Sequence, residues 1–213
     1  MINRRIRVVL ALVLIVTGCK SATTSLTAPT SPTTSAPTAS TSTSSSTSTS
    51  AAPTTTTISP LAVAEAEVRA AVDALERVRT TCANASPNCD VSTFDAVASG
   101  SQLDSFKQTW TNANTSGWAI RHLERYRYVI ETTEFPEPNA TPITRAIAFK
   151  CVADGAVTVK PAAAPDGSDV IIDETVSTQR IETEYRLSGD GHWRAAEVSK
   201  NTETLGGDTC PTS

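Results

Sequence analysis

His122, Glu124 and Tyr126 stand two residues apart in the segment Trp118-Ala119-Ile120-Arg121-His122-Leu123-Glu124-Arg125-Tyr126-Arg127-Tyr128. In an extended chain alternate side chains share a face, roughly 7 Å apart. An imidazole, a carboxylate and a phenol would then lie beside Trp118, Ile120 and Tyr128. A carboxylate buried on such a surface has a raised pKa, and a histidine within reach can share its proton through a substrate or a water. That is the chemistry of acid–base catalysis, or of polar contacts inside an apolar cavity. Trp118, His122, Glu124, Tyr126 and Tyr128 are the candidate cavity, and none is assigned a catalytic role. The structural alternative is a sheet edge that turns His122 and Glu124 to water. No nucleophile elbow, phosphate-binding loop or metal-ligand cluster is visible elsewhere, and nothing calls for a cofactor.

Of the five cysteines, Cys19 stands apart near the N-terminus and four remain: Cys82, Cys89, Cys151 and Cys210. An even set favours disulfides where the compartment is oxidising, and four cysteines allow three connectivities. Cys82 and Cys89 flank Ala83-Asn84-Ala85-Ser86-Pro87-Asn88, a turn-rich hexapeptide able to close on itself. Pairing them leaves Cys151 for Cys210. A zinc site would want short C-x-x-C spacing or nearby histidines, and neither is present.

The chain begins with Arg4, Arg5 and Arg7, then an apolar run from Val8 to Val16, then Thr17-Gly18-Cys19. A positive n-region, a short h-region and small residues at the cut make a secretory signal, and the run is shorter than the roughly 20 residues of a membrane span. Val16-Thr17-Gly18-Cys19 resembles the lipobox of bacterial lipoproteins. The resemblance implies cleavage after Gly18, diacylglycerol on the Cys19 sulfur, and a mature protein held at the outer face of the membrane by its lipid. Residues 1–18 contain three of the 18 basic side chains and none of the 22 acidic ones, so the mature chain is the more acidic. That excludes nucleic acid as a partner, because phosphate binding needs a positive surface.

Residues 19–58 form a stalk. From Ser21 to Thr57 every residue except Leu26 is Ser, Thr, Ala or Pro. Such a segment has too few apolar side chains to offset the entropy of ordering, and its Pro and β-branched Thr favour extended backbone. Residues 59–213 are enough for one domain with its own core.

Within that domain Ser59-Pro60 marks a helix start. Ala64, Val68, Ala71, Val72, Leu75 and Val78 then make an apolar stripe that predicts a helix to about Thr80. Glu65, Glu67, Arg69, Asp73, Glu76, Arg77 and Arg79 are expected on its polar side. Ser92 with Asp95 and Ser101 with Asp104 read as capping boxes of two shorter helices, the second ending at Gly117. A long strand from Trp118 to Glu131 follows, then strands from Ile143 to Val152, Val157 to Lys160 and Val170 to Leu187, and a final one from His192 to Lys200. Arg121, Arg125 and Arg127 are expected to pair with Glu182 and Glu184 across strands.

Helices followed by an antiparallel meander specify an α+β domain, its N-terminal helices packed on one face of a curved antiparallel sheet. The long first helix, two short ones, and long strands ending in Tyr185-Arg186-Leu187, a Gly/Asp turn and His192-Trp193-Arg194 resemble the nuclear transport factor 2-like superfamily. Its cone-shaped fold is shared by ketosteroid isomerases and polyketide cyclases. A cysteine in the Phe149-Lys150-Cys151 strand, paired near the C-terminus, is similar to secreted actinobacterial members. The resemblance implies a cavity enclosed by the sheet. The expected function is a non-catalytic binding or accessory module of the cell envelope, taking an envelope protein or a small apolar ligand. The alternatives are a cavity enzyme of the isomerase or cyclase kind, and a subunit that forms homodimers through its sheet.

Overall fold

The computed structural model describes residues 58–212; the expected signal peptide, Cys19 and nearly all of the expected stalk lie outside them. Helix α1 runs Pro60–Ala85, opened by Ser59, whose hydroxyl accepts from the Ala62 N–H at 3.2 Å. A 3₁₀ turn, Val91–Ala96, leads to α2, Gly100–Ser116. Strands follow in the order β1 Ala119–Arg121, β2 Tyr126–Glu134, β3 Arg145–Asp154, β4 Val157–Lys160, β5 Val170–Asp173, β6 Ser177–Leu187 and β7 Trp193–Leu205. The architecture is α+β, helices before antiparallel strands, as expected from the change of period.

The strands make two sheets, β1-β4-β5 and β2-β3-β6-β7. In the larger one every neighbour is antiparallel, with Ile130 opposite Lys150, Lys150 opposite Ile181, and Ala146 opposite Tyr185. Val68, Val72 and Leu75 of α1 pack on one face of this sheet with Phe94, Ala146, Ala148, Tyr185 and Trp193. The alanines leave room for the helix to approach the strands. Phe94 stacks on Phe106 with ring centroids 4.9 Å apart, tying α2 into the same core.

The C-terminal tail packs over part of the second face, against Cys151 and Ala153. Cys151 is bonded to Cys210, and Cys82 to Cys89, the pairing expected from the sequence. Arg127 clamps the tail by donating to both Asp208 carboxylate oxygens (2.5 and 2.7 Å) and to the Cys210 and Pro211 carbonyls (2.8 and 3.0 Å). Among the described residues no helix is long and apolar enough to cross a membrane.

Several local expectations are corrected. The helix starts are not capping boxes: Asp90 caps the first turn by accepting from the Ser92 N–H, and Ser99 precedes α2 with no side-chain cap bond. Gly117 does end α2, in the left-handed conformation (φ 67°) that a residue without Cβ enters freely. The Val170-to-Leu187 segment is two strands in different sheets, broken at Glu174–Val176. The arginines do not pair with Glu182 or Glu184: Arg121 binds Asp169, Arg127 binds Asp208, and Glu184 is held by Arg145 and Arg186.

Candidate functional site

The segment expected as one strand from Trp118 to Glu131 is broken in the middle. β1 ends at Arg121, His122 adopts the left-handed region (φ 58°, ψ 41°), and Leu123–Arg125 form a 3₁₀ turn before β2. The two-residue period therefore fails where it mattered for the candidate cavity. Tyr126 and Tyr128 remain on one face of β2, toward α1. His122 and Glu124 project outward, their side chains 52 and 71% exposed, and hydrogen-bond each other at 3.0 Å. The Glu124 carboxyl lies below its ordinary pKa because its own backbone N–H, and then His122, donate to it. The five residues do not share one surface. Trp118 instead spans a backbone link, its carbonyl accepting from the Ser86 hydroxyl at 2.5 Å.

What faces Tyr126 across the helix–sheet interface is Glu76, expected on the polar side of α1 and in fact 1% exposed. The Tyr126 hydroxyl donates to Glu76 Oε2 at 2.5 Å. Lys150, 4% exposed in the middle of β3, donates from Nζ to Glu76 Oε1. Arg79, one helical turn along, donates to both carboxylate oxygens at 3.2 Å and lies over the Tyr126 ring, 5.6 Å from its centroid. Tyr128 donates to Asp73 Oδ1 at 2.8 Å at the margin of the same cluster. Tyr185 Oη is buried with no hydrogen-bond partner among the described residues.

Electrostatics sets the protonation of this cluster. Burial alone would raise the Glu76 pKa; the charges of Arg79 and Lys150, with hydrogen bonds from Lys150 and Tyr126, outweigh it and hold the carboxyl at about 2. Burial pulls the Lys150 ammonium below its ordinary value, opposed by Glu76. Burial pushes the Tyr126 phenol up, and Glu76 reinforces that shift. Tyr128 is pushed up to about 12, by burial and by its bond to Asp73. Glu76 is thus a fixed anion with both oxygens occupied, which suits an internal counter-ion and not a proton acceptor. Two signals pointed to it. Glu76 follows Ala64, Val68 and Val72 at four-residue steps, and Lys150 interrupts the apolar run Ala146-Ile147-Ala148-Phe149-Lys150-Cys151-Val152.

An open concavity lies elsewhere, between the first turns of α1, the loop before β3 and the β6–β7 hairpin. It is a groove of about 340 Å³ lined by Ile58, Val63, Pro142, Ile143, Leu187 and Trp193 among others. Glu67 stands in it, one oxygen accepting from the Trp193 indole N–H at 3.1 Å. Among the described residues no group of three His, Cys, Asp or Glu side chains is placed to hold a metal.

No family model matches the chain, and no curated protein does. A solved structure with partial likeness is "Crystal structure of intermembrane space region of chloroplast protein ARC6". It is 13% identical with a TM-score of 0.44, over 64% of this chain and 94% of that one. A likeness at that level assigns neither family nor activity.

Proposed function

We propose that residues 59–213 are a non-catalytic binding or accessory domain of the cell envelope, with a nuclear transport factor 2-like cone. On this reading the domain is carried on the stalk of residues 19–58 from a lipid-modified Cys19. The observation that carries it is the filled helix–sheet interface. Where enzymes of that fold keep a free carboxylate in an open cavity, here Glu76 is tied by Lys150, Arg79 and Tyr126. The apolar groove beside Trp193 is a concave surface with the size and lining of a ligand site. Two disulfides support an oxidising, extracytoplasmic location.

The groove is tested by following the Trp193 indole N–H resonance while a medium-chain fatty acid is added. A saturable shift that Val63→Asp removes is expected; no shift overturns binding of apolar groups there. Mass spectrometry of the membrane-extracted protein tests the anchor, which requires an N-terminal Cys19 with diacylglycerol on its sulfur.

A further inference from the structure

The groove beside Trp193 is apolar but not uncharged. Among the described residues that line it, Glu67 alone carries a charge. Its Oε2 accepts from the indole N–H of Trp193, a residue 6% exposed, and that bond orients the carboxylate at the groove wall. No described residue donates to the other oxygen, Oε1, or brings a cation within ion-pair distance of Glu67. The arginines two residues along α1 and one along β7 are committed elsewhere: Arg69 to Glu65, and Arg194 to both oxygens of Asp190. A neutral acceptor would satisfy the indole equally, so the charge is left for a counter-ion that the described residues do not supply.

We propose that the groove selects a small aliphatic amine, its chain lying against Val63, Ile143 and Leu187 and its protonated head on Oε1 of Glu67. The proposal rests on the reading of the groove as a site for apolar ligands, and names the head group that reading leaves open. The volume of about 340 Å³ is at the lower end of ligand sites, which suits one short chain and not a two-chain lipid. An ammonium brings three donors and the opposite charge to an oxygen with no partner. A carboxylate head meets a like charge there, and the indole N–H that could have bound it is already engaged by Glu67. A hydroxyl can donate but carries no charge, so an alcohol falls between the two. For chains of equal length the order of affinity is therefore amine, alcohol, fatty acid.

The test is a titration of the full chain carrying Cys19→Ser with octylamine, octanol and octanoate at neutral pH and low salt, read at the Trp193 indole N–H resonance. An exposed charge contact changes affinity by only a few-fold. Attraction for one head and repulsion for the other should together separate octylamine from octanoate by about tenfold. Added salt should narrow that gap, because the head groups lie within reach of solvent. In Glu67→Gln the side-chain amide oxygen still accepts from the indole, which keeps the reporter in place, and the three affinities should converge. Equal affinities in the parent chain overturn the head-group proposal and leave the apolar groove standing. An order that survives Glu67→Gln does the same, since the charge would then lie elsewhere. No saturable shift with any of the three overturns the groove itself as a site, and the proposal with it.

Discussion

Two carboxylates, each hydrogen-bonded to a nitrogen base, sit at opposite extremes of this domain. Glu124 meets His122 in a broken strand at the surface. Glu76 meets Lys150, Arg79 and Tyr126 between helix and sheet. At the surface, water screens the pair and replaces it at little cost. In the interior neither partner can be rehydrated when the other leaves, so the same kind of contact becomes a structural requirement.

That contrast can be broken most sharply at Glu76. Glu76→Gln strands the Lys150 ammonium in the core and should cost about 3–5 kcal/mol, read as a lower urea midpoint. Replacing both by leucine should recover part of the loss, since apolar residues of similar volume often match a buried ion pair, while Tyr126 and Arg79 still lose their acceptor. Acid should do by titration what the substitution does by chemistry. The folded pKa of about 2 lies below the ordinary 4.5, so the contribution of Glu76 is complete above pH 4.5 and is lost as pH falls toward 2. Its size is on the order of 3 kcal/mol, to be read from denaturant unfolding across that window, and the loss should be much reduced in the double-leucine variant.

Smaller effects sharpen the comparison. Tyr126→Phe removes one hydrogen bond to the buried charge and should cost about 1.5–3 kcal/mol, measured the same way. Glu124→Gln, at the exposed end of the contrast, should leave the urea midpoint unchanged. A marked loss of stability there would mean that the His122 turn is held by its side-chain bond and not by the backbone around it.

Much of the architecture was legible in the residues. The α1 stripe, the glycine that ends α2, the β3 and β4 segments, the turn before β7 and the Cys82–Cys89 pairing follow from local spacing, which neighbours along the chain enforce; Cys151 and Cys210, 59 residues apart, are then the two cysteines left. The site was less legible for a specific reason. A two-residue period holds only while the strand lasts, and His122 leaves it by taking a positive φ. That exit moved two of the five proposed cavity residues to the surface.

The sequence by itself determined that this is an α+β domain of helices followed by antiparallel strands, and that Cys82 joins Cys89 across a short turn, because periodicity and turn chemistry act over a few residues. Only the tertiary structure decided what fills the space between α1 and the sheet. Glu76 and Lys150 are 74 positions apart, and their meeting depends on the register of β3 against β2 and β6 beneath the helix.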